Sequence, residues 1–136
     1  MKNNKLDHIA IVVRSLKKQT SWFCKIYNAK RLCRVYNYKE QKVKIQFLQA
    51  ANLKIELLEP LGKKSPISKF LKKNEYSKYY HIAFNIKSFK AVEKFIKKNN
   101  GTIISRTKNG WRGNEVMFAL FFNKKDYQLI EYVKNR

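Results

Sequence analysis

Two histidines and two glutamates in this 136-residue chain occupy positions suited to metal chemistry. His8 lies in the run Asp7-His8-Ile9-Ala10-Ile11-Val12-Val13-Arg14-Ser15, and His81 in Tyr79-Tyr80-His81-Ile82-Ala83-Phe84-Asn85-Ile86-Lys87-Ser88. They are the two histidines of the protein, and each opens the same word, His-Ile-Ala followed by Ile or Phe. The interval from His8 to His81 equals that from Ser15 to Ser88. Glu56, within Ile55-Glu56-Leu57, and Glu131, within Ile130-Glu131-Tyr132, follow their histidines at nearly matched distances. A carboxylate among apolar neighbours is costly to bury unless it is paired, hydrogen-bonded or bound to a metal. Imidazole nitrogen and carboxylate oxygen together suit Zn²⁺, Ni²⁺, Co²⁺, Mn²⁺ or Fe²⁺. Taken singly, a strand histidine is more often a hydrogen-bonded core residue, and a strand glutamate more often faces water. The repetition of both favours one site of two histidines and two glutamates between the two halves of the chain.

Those four residues need strands to carry them, and the surrounding pattern supplies them. Leu6–Val13 reads as a strand, after which Ser15 caps a helix with Leu16, Phe23, Ile26 and Tyr27 on one face and Trp22 at its margin. Strands follow at Lys30–Tyr38 and Lys42–Gln49, the second alternating Val43, Ile45 and Phe47 with Lys44 and Gln46. Ala51-Asn52 marks a turn into Leu53–Glu59, which Pro60 ends. Residues 62–74 form a hinge in which Ser65 and Pro66 start a short helix carrying Ile67, Phe70 and Leu71. The order then repeats. Strand Tyr79–Ile86 leads to a helix capped by Ser88 with Phe89, Val92, Phe95 and Ile96 inward, stopped by Asn100-Gly101. Strands Thr102–Thr107, Glu115–Phe122 and Gln128–Lys134 complete the second unit.

Composition sets the bounds. A chain of this length with 44% hydrophobic residues can bury a core and is most simply one domain, 1–136. Its parts are module one at 5–60, a linker helix at 61–78 and module two at 79–136. No apolar run is long enough for a membrane span, and the N-terminal run is too short for a signal-peptide core, so the expected location is cytoplasmic. Cys24 and Cys33 are too few for a disulfide scaffold and read as buried free thiols. The formal charge of +22 marks a basic protein whose lysines lie along the whole chain. It suits a solvated lysine-rich surface or an anionic partner. No nucleic-acid motif accompanies it.

The words Asp7-His8-Ile9-Ala10, Ile55-Glu56-Leu57-Leu58-Glu59-Pro60-Leu61, Ser65-Pro66-Ile67-Ser68-Lys69-Phe70-Leu71, His81-Ile82-Ala83-Phe84 and Leu129-Ile130-Glu131 together resemble the vicinal oxygen chelate superfamily. This is the glyoxalase, bleomycin resistance and dioxygenase group, and the chain is most similar to its methylmalonyl-CoA epimerase and glyoxalase I branch. The resemblance implies an α+β fold, two βαβββ modules forming a curled, mostly antiparallel sheet around a central metal cleft. It implies metal ligands at His8, Glu56, His81 and Glu131.

The family chemistry is proton movement next to a carbonyl or thioester. A divalent metal holds substrate oxygens and stabilises the enolate, while a carboxylate carries the proton. Glu131 is the first choice for that carboxylate and Glu56 the second. Lys124, Lys125 and Arg112 are the expected contacts to an anionic handle. The expected partner is a small anionic or thioester substrate, borne on CoA or a carrier protein, with no nucleic acid and no membrane, and a homodimer is left open. Strand Lys42–Gln49 carries no carboxylate for a second base, and the last loop, Phe121–Tyr127, has no glycine. A glyoxalase I-like lactoylglutathione lyase is therefore the alternative enzyme. A metal-free small-molecule-binding or resistance protein is the alternative outside enzymes, with Trp22, Trp111, Tyr80 and Phe118 as candidates to line a flat-ligand cleft.

Overall fold

The computed structural model of the protein describes residues 4–72 and 77–136. Its elements run β1 (Lys5–Val12), α1 (Leu16–Ile26), β2 (Lys30–Arg31), β3 (Tyr36–Tyr38), β4 (Val43–Ala50), β5 (Leu53–Pro60) and α2 (Ser68–Lys72). They continue β6 (Lys78–Asn85), α3 (Phe89–Lys98), β7 (Thr102–Thr107), β8 (Glu115–Asn123) and β9 (Asp126–Lys134). The fold is α+β with the βαβββ order twice, β2 and β3 together taking the place of one strand. The chain separates into two compact units, residues 8–80 and residues 1–7 with 81–136. The division falls inside both histidine-bearing strands, just before His8 and just before His81. No helix among the described residues is long and apolar enough to cross a membrane.

In the unit 8–80 the strand order is β2-β4-β5-β1, with β3 also on β4. β1 and β5 are parallel, Ile9 level with Ile55 and Ala10 with Glu56, while β4 and β5 form an antiparallel hairpin. Helix α1 follows β1 because Ser15 is extended and its hydroxyl accepts from the Lys18 N–H at 3.3 Å. A carboxylate oxygen of Glu59, near the end of β5, accepts from the Leu16 N–H at 3.1 Å, satisfying another donor of the first turn. The helix lays Leu16 and Phe23 on Leu48, Ile55 and Leu57. Because strand residues alternate, Ile55 and Leu57 face the helix and Glu56 turns to the opposite face of the sheet.

The unit 81–136 repeats this plan with strand order β6-β9-β8-β7. β6 and β9 are parallel, Ile82 level with Ile130 and Ala83 with Glu131, and β8 pairs antiparallel with β9. Ser88 caps α3 through the Ala91 N–H at 3.5 Å, and Asn100 at φ 55° lets the Gly101 N–H close on the Ile96 carbonyl. Phe89, Val92 and Ile96 pack on Met117, Ala119 and Tyr132. On the other face Ala83, Val116 and Val133 cluster against Phe118, the face to which Glu131 also turns.

Several local expectations are corrected. Lys30–Tyr38 is two short strands, because residues 33–35 bulge from β4 after the Leu32 N–H bonds the Phe47 carbonyl, and the buried amide of Gln46 fills the gap by donating to the Cys33 carbonyl at 2.6 Å. Ile26, Tyr27 and Trp22 are exposed, since the buried stripe of α1 runs through Leu16, Thr20 and Phe23 and has ended before the last turn. Ser65 does not cap a helix at Pro66. Two tight backbone turns, Ser65 N–H to the Gly62 carbonyl and Ser68 N–H to the Ser65 carbonyl, precede α2, and the Ser65 hydroxyl is buried without a hydrogen bond among the described residues. The segment 61–72 packs with the first unit, the Leu61 N–H bonding the Lys42 carbonyl and Arg14 the Leu71 carbonyl. Residues 73–76 of the expected linker helix lie outside the described residues. Cys24 and Cys33 are free thiols but only half-buried.

Candidate metal centre

Strand register explains how each histidine meets its glutamate. His8 is two residues before Ala10 and so shares its face, and Ala10 stands level with Glu56 on the neighbouring parallel strand. His81, Ala83 and Glu131 repeat that relation. The outcome in the unit 8–80 is His8 Nε2 at 3.3 Å from Glu56 Oε2. In the unit 81–136 it is His81 Nε2 at 2.9 Å from Glu131 Oε2. All four residues are buried, at 3% and 7% exposure in the first pair and 2% and 8% in the second, and each offers a donor atom that metal ions accept.

The chemistry of these donors fits a divalent ion. A neutral imidazole nitrogen and a carboxylate oxygen both present lone pairs, so their close approach requires a proton or a cation between them. Ligand atoms ~2.0–2.2 Å from one ion stand roughly 3.0 Å apart at right angles and roughly 3.4 Å apart at tetrahedral angles. The observed 2.9 and 3.3 Å match that spacing. Away from water, such a pair also avoids the cost of an isolated buried carboxylate.

Each pair is held by an aromatic ring that sequence reasoning did not connect with it. Phe47 lies opposite Glu56 in the β4–β5 ladder, and its ring meets His8 edge to face at 5.4 Å. Phe118 lies opposite Glu131 in the β8–β9 ladder and meets His81 the same way at 5.2 Å. Both hairpins turn through two residues, but Phe118 and Glu131 stand two residues farther from the turn on each strand than Phe47 and Glu56, which hid the equivalence of the two phenylalanines along the chain.

The basic residues expected to grip one handle do not cluster. Lys124 and Lys125 form the exposed two-residue turn between β8 and β9, Lys124 at φ 54°. Arg112 lies in the turn before β8, at the other end of the hairpin, its guanidinium over the Trp111 ring. At ~3.4 Å per residue the nine residues of β8 put these ends roughly 27 Å apart. Of the aromatic residues named for a flat-ligand cleft, Trp22 is exposed on the outer side of α1 and Tyr80 packs on Phe70. Phe118 borders a histidine–glutamate pair.

With this geometry in view, comparison with known proteins gives the class. Residues 7–118 match the Glyoxalase/Bleomycin resistance protein/Dioxygenase superfamily, and the chain belongs to that family. Among its relatives is the mitochondrial methylmalonyl-CoA epimerase of Mus musculus, 32% identical over 86% of this chain and 66% of that protein. The chain thus spans just under two thirds of the mouse protein's length. The ethylmalonyl-CoA/methylmalonyl-CoA epimerase of Cereibacter sphaeroides is 30% identical over 90% of both chains. Among solved structures, the hypothetical protein BH1468 from Bacillus halodurans C-125 aligns with a TM-score of 0.83 and 34% identity, covering 98% of this chain and 96% of that one.

Proposed function

We propose that this protein is a divalent-metal-dependent epimerase or isomerase that moves a proton next to the carbonyl of an acyl thioester of the methylmalonyl-CoA type. The observation that carries this reading is the buried histidine–glutamate pair, repeated at one register in each unit of the chain. The epimerases among its relatives supply the substrate class. In this reading the chain works as a single domain, and His8, Glu56, His81 and Glu131 are the four ligands of one centre. A bound Zn²⁺, Ni²⁺, Co²⁺, Mn²⁺ or Fe²⁺ would supply Lewis acidity toward the substrate oxygens.

The chain's own residues do the rest. The Glu131 carboxylate takes the proton from the acidic carbon and returns it, and burial keeps bulk water from competing. Glu56 is assigned mainly to coordination. Basic side chains at either end of the β8–β9 hairpin, Lys124 and Lys125 or Arg112, receive the anionic handle.

A specific observation favours the glyoxalase-type reading as the second. Strand β4, Val43–Ala50, contains no carboxylate, so nothing on it serves as a second base. One carboxylate shuttling a proton on one face of a hemithioacetal would fit that supply.

The tests are direct. Elemental analysis of protein purified without a His-tag should find one divalent ion per chain; two ions per chain, or none, would overturn the shared centre. Methylmalonyl-CoA in deuterated water should then take up label at its acidic carbon and invert. Label uptake without inversion, together with turnover of a hemithioacetal, would favour the lyase. Absence of exchange on either substrate would end both enzyme readings.

A further inference from the structure

We infer that Phe47 and Phe118 are positioning residues, which hold the planes of the His8 and His81 rings in the orientation that lets Nε2 reach the glutamate and any ion it helps to hold. The inference rests in part on the metal reading above, but its geometry stands by itself. In each unit a phenylalanine is level with the glutamate on the antiparallel neighbour, Phe47 with Glu56 and Phe118 with Glu131. The histidine reaches the same glutamate from the parallel strand on the other side. The three side chains therefore meet on one face of three adjacent strands, β4-β5-β1 in one unit and β8-β9-β6 in the other.

Ring geometry shows what the phenylalanine does there. The imidazole and phenyl planes cross at 83° in the first unit and 82° in the second, with centroids 5.4 and 5.2 Å apart. This is the edge-to-face arrangement that aromatic quadrupoles favour. An imidazole can turn about its Cβ–Cγ bond, exchanging the edge that carries Nε2 for one that carries carbon. A perpendicular phenyl ring against it holds the imidazole plane, because every intermediate orientation loses the edge-to-face contact, and within that plane the Nε2–carboxylate contact selects which edge faces the glutamate. Repetition of the same angle within one degree in both units argues against a chance packing contact.

The surroundings differ in one respect. Phe47 is fully buried, with the Lys54 ammonium 5.7 Å from its ring centroid. Phe118 is half-buried. Loss of Phe47 should thus act on His8 through a closed site, and loss of Phe118 on His81 through a partly open one.

The experiment uses Phe47→Leu, Phe118→Leu and the rescue variants Phe47→Tyr and Phe118→Tyr in the full chain, with circular dichroism melts to show folding. Co²⁺ titration of metal-free protein, read by its absorption spectrum, should weaken roughly 3- to 10-fold in each leucine variant and recover in the tyrosine variant. The two histidines of this chain also make the imidazole ¹⁵N spectrum a direct readout. In metal-free wild type the Nε2 resonance of each ring should carry the shift of its carboxylate contact, and each leucine variant should shift and broaden the Nε2 resonance of the ring facing the lost phenyl while leaving the other ring unchanged. Leucine variants that keep Co²⁺ affinity within twofold, with unchanged Nε2 resonances, would overturn the inference. Wild-type protein that binds no Co²⁺ would remove the metal reading instead, and the imidazole spectra would still decide the positioning role. Should a leucine variant fail to fold, the same spectra on Phe→Met at that position decide it.

Discussion

Ala83 stands level with Glu131 across the parallel β6–β9 ladder, just as Ala10 stands level with Glu56 across β1–β5. Both alanines are fully buried. Each sits between the histidine two residues earlier and the glutamate beside it, on the same sheet face. A methyl group there leaves the room in which imidazole and carboxylate approach.

Enlarging that methyl should therefore disturb both stability and the pair. Ala83→Val adds two methyl groups beside Val116, Val133 and Phe118, and overpacking of this kind costs ~1–3 kcal/mol. Urea denaturation should show the loss, and metal affinity should fall with it. An Ala83→Val protein as stable as wild type, with unchanged affinity, would show that the space is not needed.

Glu131→Gln separates coordination from proton transfer. The amide oxygen can still donate a lone pair to a metal but cannot accept a proton at neutral pH. Metal content should be largely retained while kcat falls ~10²–10⁴-fold, the range for losing a general base. Glu56→Gln should be milder. Full activity in Glu131→Gln would remove Glu131 from the proton-transfer role.

Ionic strength tests the charge. KM for a CoA thioester should rise with salt as screening shortens the reach of the basic surface. Charge reversal at Lys124 and Lys125 and at Arg112 should give independent effects, because the hairpin separates them. The variant that abolishes the salt dependence identifies the end that meets the handle, and a salt-independent KM would leave neither with that role.

Stability at high pH should report Tyr132. Burial pushes its phenol from 10.0 up to about 12. Below pH 10 the side chain is neutral whether folded or unfolded, so its contribution is fully present. Between pH 10 and pH 12 the unfolded chain releases the proton while the folded chain keeps it, and stability falls by up to about 1.4 kcal/mol per pH unit. Tyr132→Phe should flatten this part of the profile in denaturation experiments from pH 9 to 12. An identical slope in the variant would assign the decline to the lysines.

The periodic features were legible because they depend on local rules. Alternation marked β4, the Ala51-Asn52 turn and Pro60 bounded β5, β9 echoed β5, and Ser15 and Ser88 marked the helix starts through their hydroxyls. Less legible were features that need a neighbour from elsewhere in the chain. The break between β2 and β3 goes with the Gln46 amide reaching Cys33, and Ile26 looks buried on a helical wheel although Phe23 is the last buried residue of α1. The basic residues Lys124, Lys125 and Arg112 lie in the loops flanking β8, and an extended strand holds its two ends apart.

By itself the sequence determined the repeat, the pairing of a histidine strand with a glutamate strand in each half, and the family. These follow from residue type and spacing, which a strand's two-residue period translates directly into a face. Only the tertiary structure decided the register, Ala10 to Glu56 and Ala83 to Glu131, that brings Nε2 to 3.3 and 2.9 Å from the carboxylates. It alone set Phe47 and Phe118 against the imidazoles, since a ring contact across three strands depends on how distant segments pair, and a shift of one residue would turn every one of these side chains to the opposite face.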